Sequence, residues 1–501
     1  MSRLVVVTWL LLFFNGVASV ANRPDPSTQQ APAMIGSRRE VFFDRHLIAR
    51  MDGTSLVLHN PHDEGEVLRL DQPWEGPFSG YSTVIKDERL FRLYYRGKRS
   101  PGSDGEGEVT CYAESTDGVH WIKPKLGLFL VAGTRDNNVI LAEPHVSHNF
   151  SPFLDTRPGV PPNERYKALG GVIHKNPGGG LMAYASADGV RWRKLGDRPV
   201  LTKGAFDSQN LAFWSEVDQS YVSYFRTFTK GVSTAFEWKL EGFRSFSRSR
   251  SRDFLHWEDP EPLKFVPPQE YHLYTSQVQP YFRAPHLLIA TAARFMPSRE
   301  GISPQEAQRL QVASTYFKTA RDVSDSVFLT SHDGKTFLQT FREALIRPGL
   351  RLNEWVSRSG YPALNVVQTG PEEMSLYLNQ DYAQPTAHLR RYSLRLDGFA
   401  SVNAGYEGGE FVTRPLIFSG RRLFLNCATS AAGGIRVEIQ EATGKPVPGF
   451  SVTDALEILG NGCAVEVGWH GNPDLGALAG RTVRLRFVMK DADVFGLQFA
   501  P

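Results

Sequence analysis

Three carboxylates, Glu75, Asp155 and Asp207, stand where short strand-like runs begin or end, each among amides, aromatics or arginines. Glu75 lies in Asp71-Gln-Pro-Trp-Glu75-Gly-Pro-Phe. Asp155 closes His148-Asn149-Phe-Ser-Pro-Phe-Leu-Asp155, and Asp207 opens Asp207-Ser-Gln209-Asn210. Two further clusters have the same character: Glu270-Tyr-His272-Leu-Tyr274-Thr-Ser-Gln277 and Asn353-Glu354-Trp355-Val-Ser-Arg358. Sugar pockets need this mixture, because hydroxyls demand polar partners and ring faces stack on aromatics. Glycosidic cleavage needs two carboxyl groups, one protonated and one ionised, with pKa values driven apart by their surroundings. Asp207 is the candidate general acid/base, Glu75 the opposing carboxylate and Asp155 an auxiliary. Asn149, Gln209, Asn210, His272, Tyr274, Trp355 and Arg358 are the candidate substrate contacts. Each has a plainer rival reading, since a carboxylate at a strand-entry turn is more often a cap or an Asx-turn than a catalyst.

The elements that must position these residues announce themselves by repetition. Ser115-Thr-Asp117-Gly-Val-His-Trp121 recurs as Ser186-Ala-Asp188-Gly-Val-Arg-Trp192, Ser251-Arg-Asp253-Phe-Leu-His-Trp257 and Ser331-His-Asp333-Gly-Lys-Thr-Phe337. A degenerate fifth copy ends at Asp397-Gly-Phe399. Repeats at intervals of roughly 65–80 residues, with hairpin-forming Asp-Gly turns between period-two runs, predict an all-β, five-bladed propeller. The five aspartates are turn formers on this reading, and the loops at one end of the ring hold the site. Ser303-Pro-Gln-Glu306 predicts a short capped helix decorating the fourth blade. Residues after the fifth box alternate apolar and polar, and are expected to form a β-sandwich.

The expected organisation is a signal peptide at 1–21, a disordered linker at 22–38, the propeller at 39–400 and the sandwich at 401–501. Arg3, the apolar run Leu4–Phe14 and small residues ending at Ala21 mark a secretory signal, so export to the periplasm or medium is expected, with no stable membrane insertion after cleavage. A formal charge of +3 over 501 residues gives no strong field to recruit nucleic acid. The basic run Arg244–Arg252 is read as a strand with one solvated face, with Arg244 a candidate to point into the site. Of three cysteines, Cys111 is expected as a buried small hydrophobe, while Cys427 and Cys463 are placed to pair or to stay free. No Cys/His spacing suggests zinc; no metal or cofactor is expected. The oligomeric state is left open.

Longer phrases, HNFSPFLD (148–155), ERYKALGG (164–171), FDSQN (206–210), LYTSQVQPYFRAPH (273–286) and RRYSLRLDGF (390–399), resemble secreted bacterial proteins similar to glycoside hydrolase family 32. With the boxes, the chain resembles the five-bladed propeller hydrolases of families 32 and 43. The resemblance implies a funnel site acting on an oligo- or polysaccharide. Where family 32 carries its Asn-Asp-Pro-Asn nucleophile motif, this chain has Gly76-Pro-Phe-Ser-Gly80 with Glu75 nearby. The Arg-Asp-Pro motif meets Phe150-Ser151-Pro152, and the Glu-Cys acid/base meets Asp207-Ser208. Two rivals follow: a non-catalytic sugar-binding propeller, favoured if fewer than two carboxylates face the funnel, and a sialidase. The last requires three arginines around a carboxylate and a Tyr/Glu nucleophile pair.

Overall fold

The computed structural model describes residues 31–101, 107–143, 145–172, 179–234, 237–313, 321–471 and 474–501. The expected signal peptide and most of the expected linker lie outside them. Blade I consists of Gly80–Asp87, Leu90–Gly97, Val109–Ser115 and Val139–Leu141, in that spatial order. Blade II is built from Ser151–Leu154, Tyr166–Gly170, Met182–Ser186 and Arg193–Lys194, and blade III from Leu211–Ser215, Ser220–Ser233, Trp238–Ser251 and Glu261–Pro262. Blade IV has six strands, with Val278–Tyr281 innermost and the long pair Ala284–Met296 and Val323–Ser331 behind it. In blade V, Tyr361–Pro362 and Val367–Gln368 share one edge of Glu373–Gln380, and His388–Arg395 takes the other.

Neighbouring blades touch in a closed ring, the last contact running from Val367–Gln368 back to Gly80–Asp87. The amide of Val84 and the carbonyl of Leu364 pair across that seam at 2.9 Å. A second closure comes from the N-terminal side. His62–Arg69 adds to the outer edge of blade V, pairing antiparallel with His388–Arg395 and setting buried Leu68 opposite buried Leu389. The first part of the chain thereby covers an edge that would otherwise stay open.

The remaining strands form one ten-stranded sheet, and they do not all come from the C-terminal region. Ala33–Gly36 runs parallel to Leu416–Phe418, Arg39–Val41 pairs with Thr482–Ala500, Ile48–Asp52 with Gly409–Thr413, and Thr54–Leu58 with Ala400–Ala404. The expected linker 22–38 therefore contains a strand, and the expected propeller boundary at 39 is corrected: residues 39–58 belong to this sheet. The cause is burial. Ile35, Phe42 and Leu47 enter the core of Phe411, Phe487 and Trp469, from segments too short to show periodicity. In the C-terminal region Leu423–Asn426 and Ile435–Ile439 belong to one 20-residue strand, Arg422–Glu441, which is bulged between Thr429 and Gly434 where it pairs with Thr482–Ala500. The capped helix is present as Pro304–Arg309, with Ser303 Oγ accepting from Glu306 N and Glu306 Oε2 accepting from Ser303 N. Cys111 is buried, and all three cysteines are free thiols.

The repeated box does two jobs. In the first copy, Asp117 Oδ1 accepts from the amides of Val119 and His120, each at 2.8 Å, and Ser115 Oγ accepts from Gly118 N. The same bonds recur at Asp188, Asp253 and Asp333. The box glycine also admits the neighbouring blade. Tyr377 of blade V donates to Gly118 O at 2.6 Å, and Tyr224 of blade III to Gly334 O at 2.7 Å. A Cβ on Gly189 would sit 2.6 Å from the Tyr94 hydroxyl of blade I. Between blades II and III the arrangement changes: Leu169 holds the register-equivalent place, and Phe254 replaces glycine at φ +71°. Phe254 is fully buried and packs its own ring against Phe153.

The fifth box is not a simple turn former. Asp397 is fully buried and accepts from Tyr281 Oη at 2.6 Å and Asn426 Nδ2 at 3.0 Å, beside Arg283 at 2.9 Å and Arg39 at 3.3 Å. It joins blade IV, the N-terminal strands and the C-terminal sheet. The basic run is corrected as well. Arg248, expected on a solvated face, is only 1% exposed, pairs with Asp218 at 2.6 Å and reaches the Asp333 carbonyl of the next box.

Gly189→Ala should lower unfolding free energy by about 1–3 kcal/mol, the cost of a strained left-handed residue plus the tyrosine contact. Adding Tyr94→Phe should recover part of it in urea denaturation. Asp397→Ala leaves two largely buried guanidiniums uncompensated and should cost about 3–5 kcal/mol in the same measurement.

Candidate functional site

All five blades send polar and aromatic side chains to one end of the ring, where the innermost strands begin. Tyr81 and Arg96 come from blade I, His148 from the entry to blade II, and Asp207, Arg226 and Arg244 from blade III. Tyr274 precedes the inner strand of blade IV, and Arg358, Tyr361 and Tyr382 belong to blade V. Tyr81 lies under the Arg96 guanidinium at 4.6 Å and edge-on to His148 at 5.7 Å. Its hydroxyl donates to the Asp207 carbonyl at 3.2 Å, and His148 Nε2 approaches the same oxygen at 3.3 Å. Arg226 pairs through Nη2 with the Asp207 carboxylate. Arg96 and Arg358 both donate to Tyr382 Oη, at 3.4 and 3.2 Å.

Arg226, Arg244 and Arg358 place their guanidinium carbons 5.3, 5.2 and 5.3 Å from one ring, that of Tyr274. No two of these charges are therefore more than about 11 Å apart, and each pair repels by at least about 1.5 kcal/mol at an effective dielectric of about 20. The Tyr274 face offsets part of this by cation–π attraction. Burial raises the Tyr274 phenol, but Arg358, Arg226 and Arg244 outweigh it and hold the group below its ordinary value. Burial likewise lowers Arg226. Tyr81 and Arg358, with Gln277 beside them, take φ of +52°, +64° and +47° at three strand entrances. Non-glycine residues are rarely held there, and such strain gathers at functional sites.

The candidate residues divide sharply. Asp207, Tyr274 and Arg358 lie in the cluster, and the Asp207 side chain is 27% exposed. Glu75 does not face them. It is fully buried inside blade I, accepting from Tyr95 Oη at 2.5 Å, Lys123 Nζ at 2.6 Å and Gln72 N at 3.1 Å. Asp155 lies past the far end of its inner strand, buried between Lys167 Nζ and Tyr221 Oη, both at 2.6 Å. Asn149 and Asn210 spend their amides on the backbone carbonyls of Phe206 and Ser208, which fixes the turn carrying Asp207. Gln209 bridges Ser82 O and Gln277, and Gln277 in turn reaches Pro362 O, so these amides span the channel instead of facing a ligand. His272 accepts from Arg244 N at 3.0 Å and flanks the cluster. Trp355 is 36% exposed and donates to Gly349 O.

The sequence reading missed Tyr81, Arg96, Arg226, Tyr361 and Tyr382 and gave His148 no role. It also missed Glu108, fully buried behind the cluster against Lys98 at 2.5 Å and His148 at 2.9 Å. Burial raises this carboxyl, yet His148, Arg96 and Lys98 more than reverse it and hold it well below the usual carboxylate range. Glu108 is thus an ionised counter-charge and not a proton donor. Among the described residues no group of three or more His, Cys, Asp or Glu side chains is arranged to hold a metal ion, and no helix is long and apolar enough to cross a membrane.

Fold and site together define a five-bladed β-propeller with an arginine- and tyrosine-rich entrance. No protein-family model and no curated protein matches the chain. Similar solved structures include a glycoside hydrolase at 12% identity, covering 67% of this chain and 92% of that one with a TM-score of 0.44. Others are a GH32 β-fructofuranosidase from Bombyx mori (10%, 87% and 94%, 0.41) and a β-1,2-mannobiose phosphorylase from Listeria innocua (10%, 66% and 94%, 0.42).

Glu75→Gln and Asp155→Asn should each lower the unfolding midpoint read by calorimetry, since each leaves a largely buried lysine without its nearest counter-charge. The depressed pKa of Glu108 contributes stability above the unfolded-state value, about 4.3. That stability is lost as pH falls toward the folded-state value. Glu108→Gln should therefore flatten the decline of unfolding free energy below about pH 5 relative to wild type.

Proposed function

We propose that this protein is an exported, carbohydrate-active propeller that binds an oligo- or polysaccharide at the entrance cluster. The observation that carries this reading is convergence. Tyr81, Asp207, Arg244, Tyr274 and Arg358, from four blades, reach one end of the ring, with rings for stacking and forked donors for hydroxyls. Binding is favoured over two-carboxylate hydrolysis. Asp207 is the only carboxylate among the described residues that joins this cluster with an exposed side chain; Glu75 and Asp155 are engaged elsewhere and Glu108 is fully buried. The ten-stranded sheet is read as the accompanying β-sandwich, its two long strands folding over the Phe411, Phe487 and Trp469 core.

Glycoside cleavage is the second reading, favoured by Tyr274. A phenol held below its ordinary value by three arginines suits a nucleophile, with Asp207 as acid/base. A panel of oligosaccharides separates the two. The expected result is stoichiometric binding without turnover, weakened at least tenfold by Tyr81→Ala. Release of shortened sugars by wild type but not by Asp207→Asn would replace binding with catalysis.

A further inference from the structure

We propose that the entrance selects a sugar carrying an oxyanion, a uronic acid carboxylate or a sulfate ester, over its neutral counterpart. This rests on the entrance being the carbohydrate site. Among the described residues the charge balance there is uneven. Arg96, Lys98, Arg226, Arg244 and Arg358 are drawn together, while the described carboxylates among them are Asp207 and Glu108. Glu108 serves Lys98, His148 and Arg96, and Asp207 serves Arg226. No carboxylate pairs with Arg244 among the described residues, and its Nε is buried without a hydrogen-bond partner. Nε and Nη1 of Arg226, a residue only 3% exposed, are likewise without acceptors. Unmatched guanidinium nitrogens occur elsewhere in the fold, at Arg157, Arg391 and Arg414 among others, but only here among the described residues do three guanidiniums converge on one ring, that of Tyr274, and a planar or tetrahedral oxyanion presents the paired acceptors that such forks fit.

The sugar ring has a place as well. The two 14-residue strands of blade III project past the blade as a hairpin, bringing Phe228 to 5.6 Å from Arg244 and leaving Phe243 37% exposed beside His272. An apolar face next to a cationic centre suits a ring whose charged substituent points inward. Neutral sugars would gain the stacking but leave the like charges uncompensated.

The test is an array of neutral oligosaccharides beside their uronic acid and sulfated counterparts, probed with wild type, Arg244→Gln and Arg244→Lys, with hits quantified by calorimetry at low and high salt. The charged member of each bound pair is expected to bind at least about tenfold more tightly. Arg244→Gln should remove most of that preference, and Arg244→Lys, which keeps the charge but not the fork, should retain an intermediate part. Preference confined to uronates or to sulfates identifies the oxyanion. Equal binding of charged and neutral partners, or an unchanged preference in a folded Arg244→Gln, overturns the inference and leaves the carbohydrate reading standing. Absence of binding to every glycan rejects the carbohydrate reading itself.

Discussion

The structure depends on ring closure, and closure is made by main-chain pairing between distant parts of the chain. His62–Arg69 supplies the outer strand of blade V, and the Val84–Leu364 bond joins the inner strands of blades V and I. Residues 33–58 are meanwhile paired into the ten-stranded sheet. One short N-terminal region therefore fastens both the ring and the sheet, and Asp397 ties the two together through Arg39, Arg283 and Asn426. A propeller left open would expose the unpaired edge of blade V, a surface that invites pairing with other chains.

The entrance cluster is a product of that closure. No blade contains it: Tyr81 and Arg358 stand 277 positions apart in the chain and meet only because blades I and V are neighbours in the closed ring. The scaffold also bears a cost there, holding like charges around Tyr274 and non-glycine residues at positive φ. Such a centre persists only when surrounding structure over-determines it. The amides of Asn149, Gln209, Asn210 and Gln277 do that by locking the strand entrances to one another.

How much of this was legible in the sequence follows from range. The turn-forming bonds of the first four boxes are local, each spanning three residues or fewer, so blade count and the helix cap at Ser303 could be read directly. Counting blades located the strand entrances, and with them Asp207, Tyr274 and Arg358. What the sequence does not display is the identity of a side chain's partner. Glu75 and Asp155 sit in phrases that look like site material, but Lys123 and Lys167 neutralise them from strands or loops elsewhere in the chain. Arg96, near the end of its second strand, and Arg226, midway along a longer one, carry no local mark. The N-terminal strands escaped because three to five residues cannot show a period; their membership in the sheet is decided by burial against Phe411 and Phe487.

Phe254 gives the repeats a meaning beyond counting. Two of the box glycines accept a tyrosine hydroxyl from the preceding blade and another, Gly189, lies close to one; the third box closes its own gap with a ring, and in the fifth the tyrosine hydroxyl moves to the aspartate, where an ion pair joins it. The interfaces are thus of three chemically different kinds. Blades that look interchangeable by sequence are not interchangeable in place: a glycine box set beside Leu169 would leave a hole, and Phe254 set beside Tyr94 would collide. The third and fifth boxes are thus matched to the blade that precedes each, and a repeat that reads as a turn signal is also part of the seam between blades.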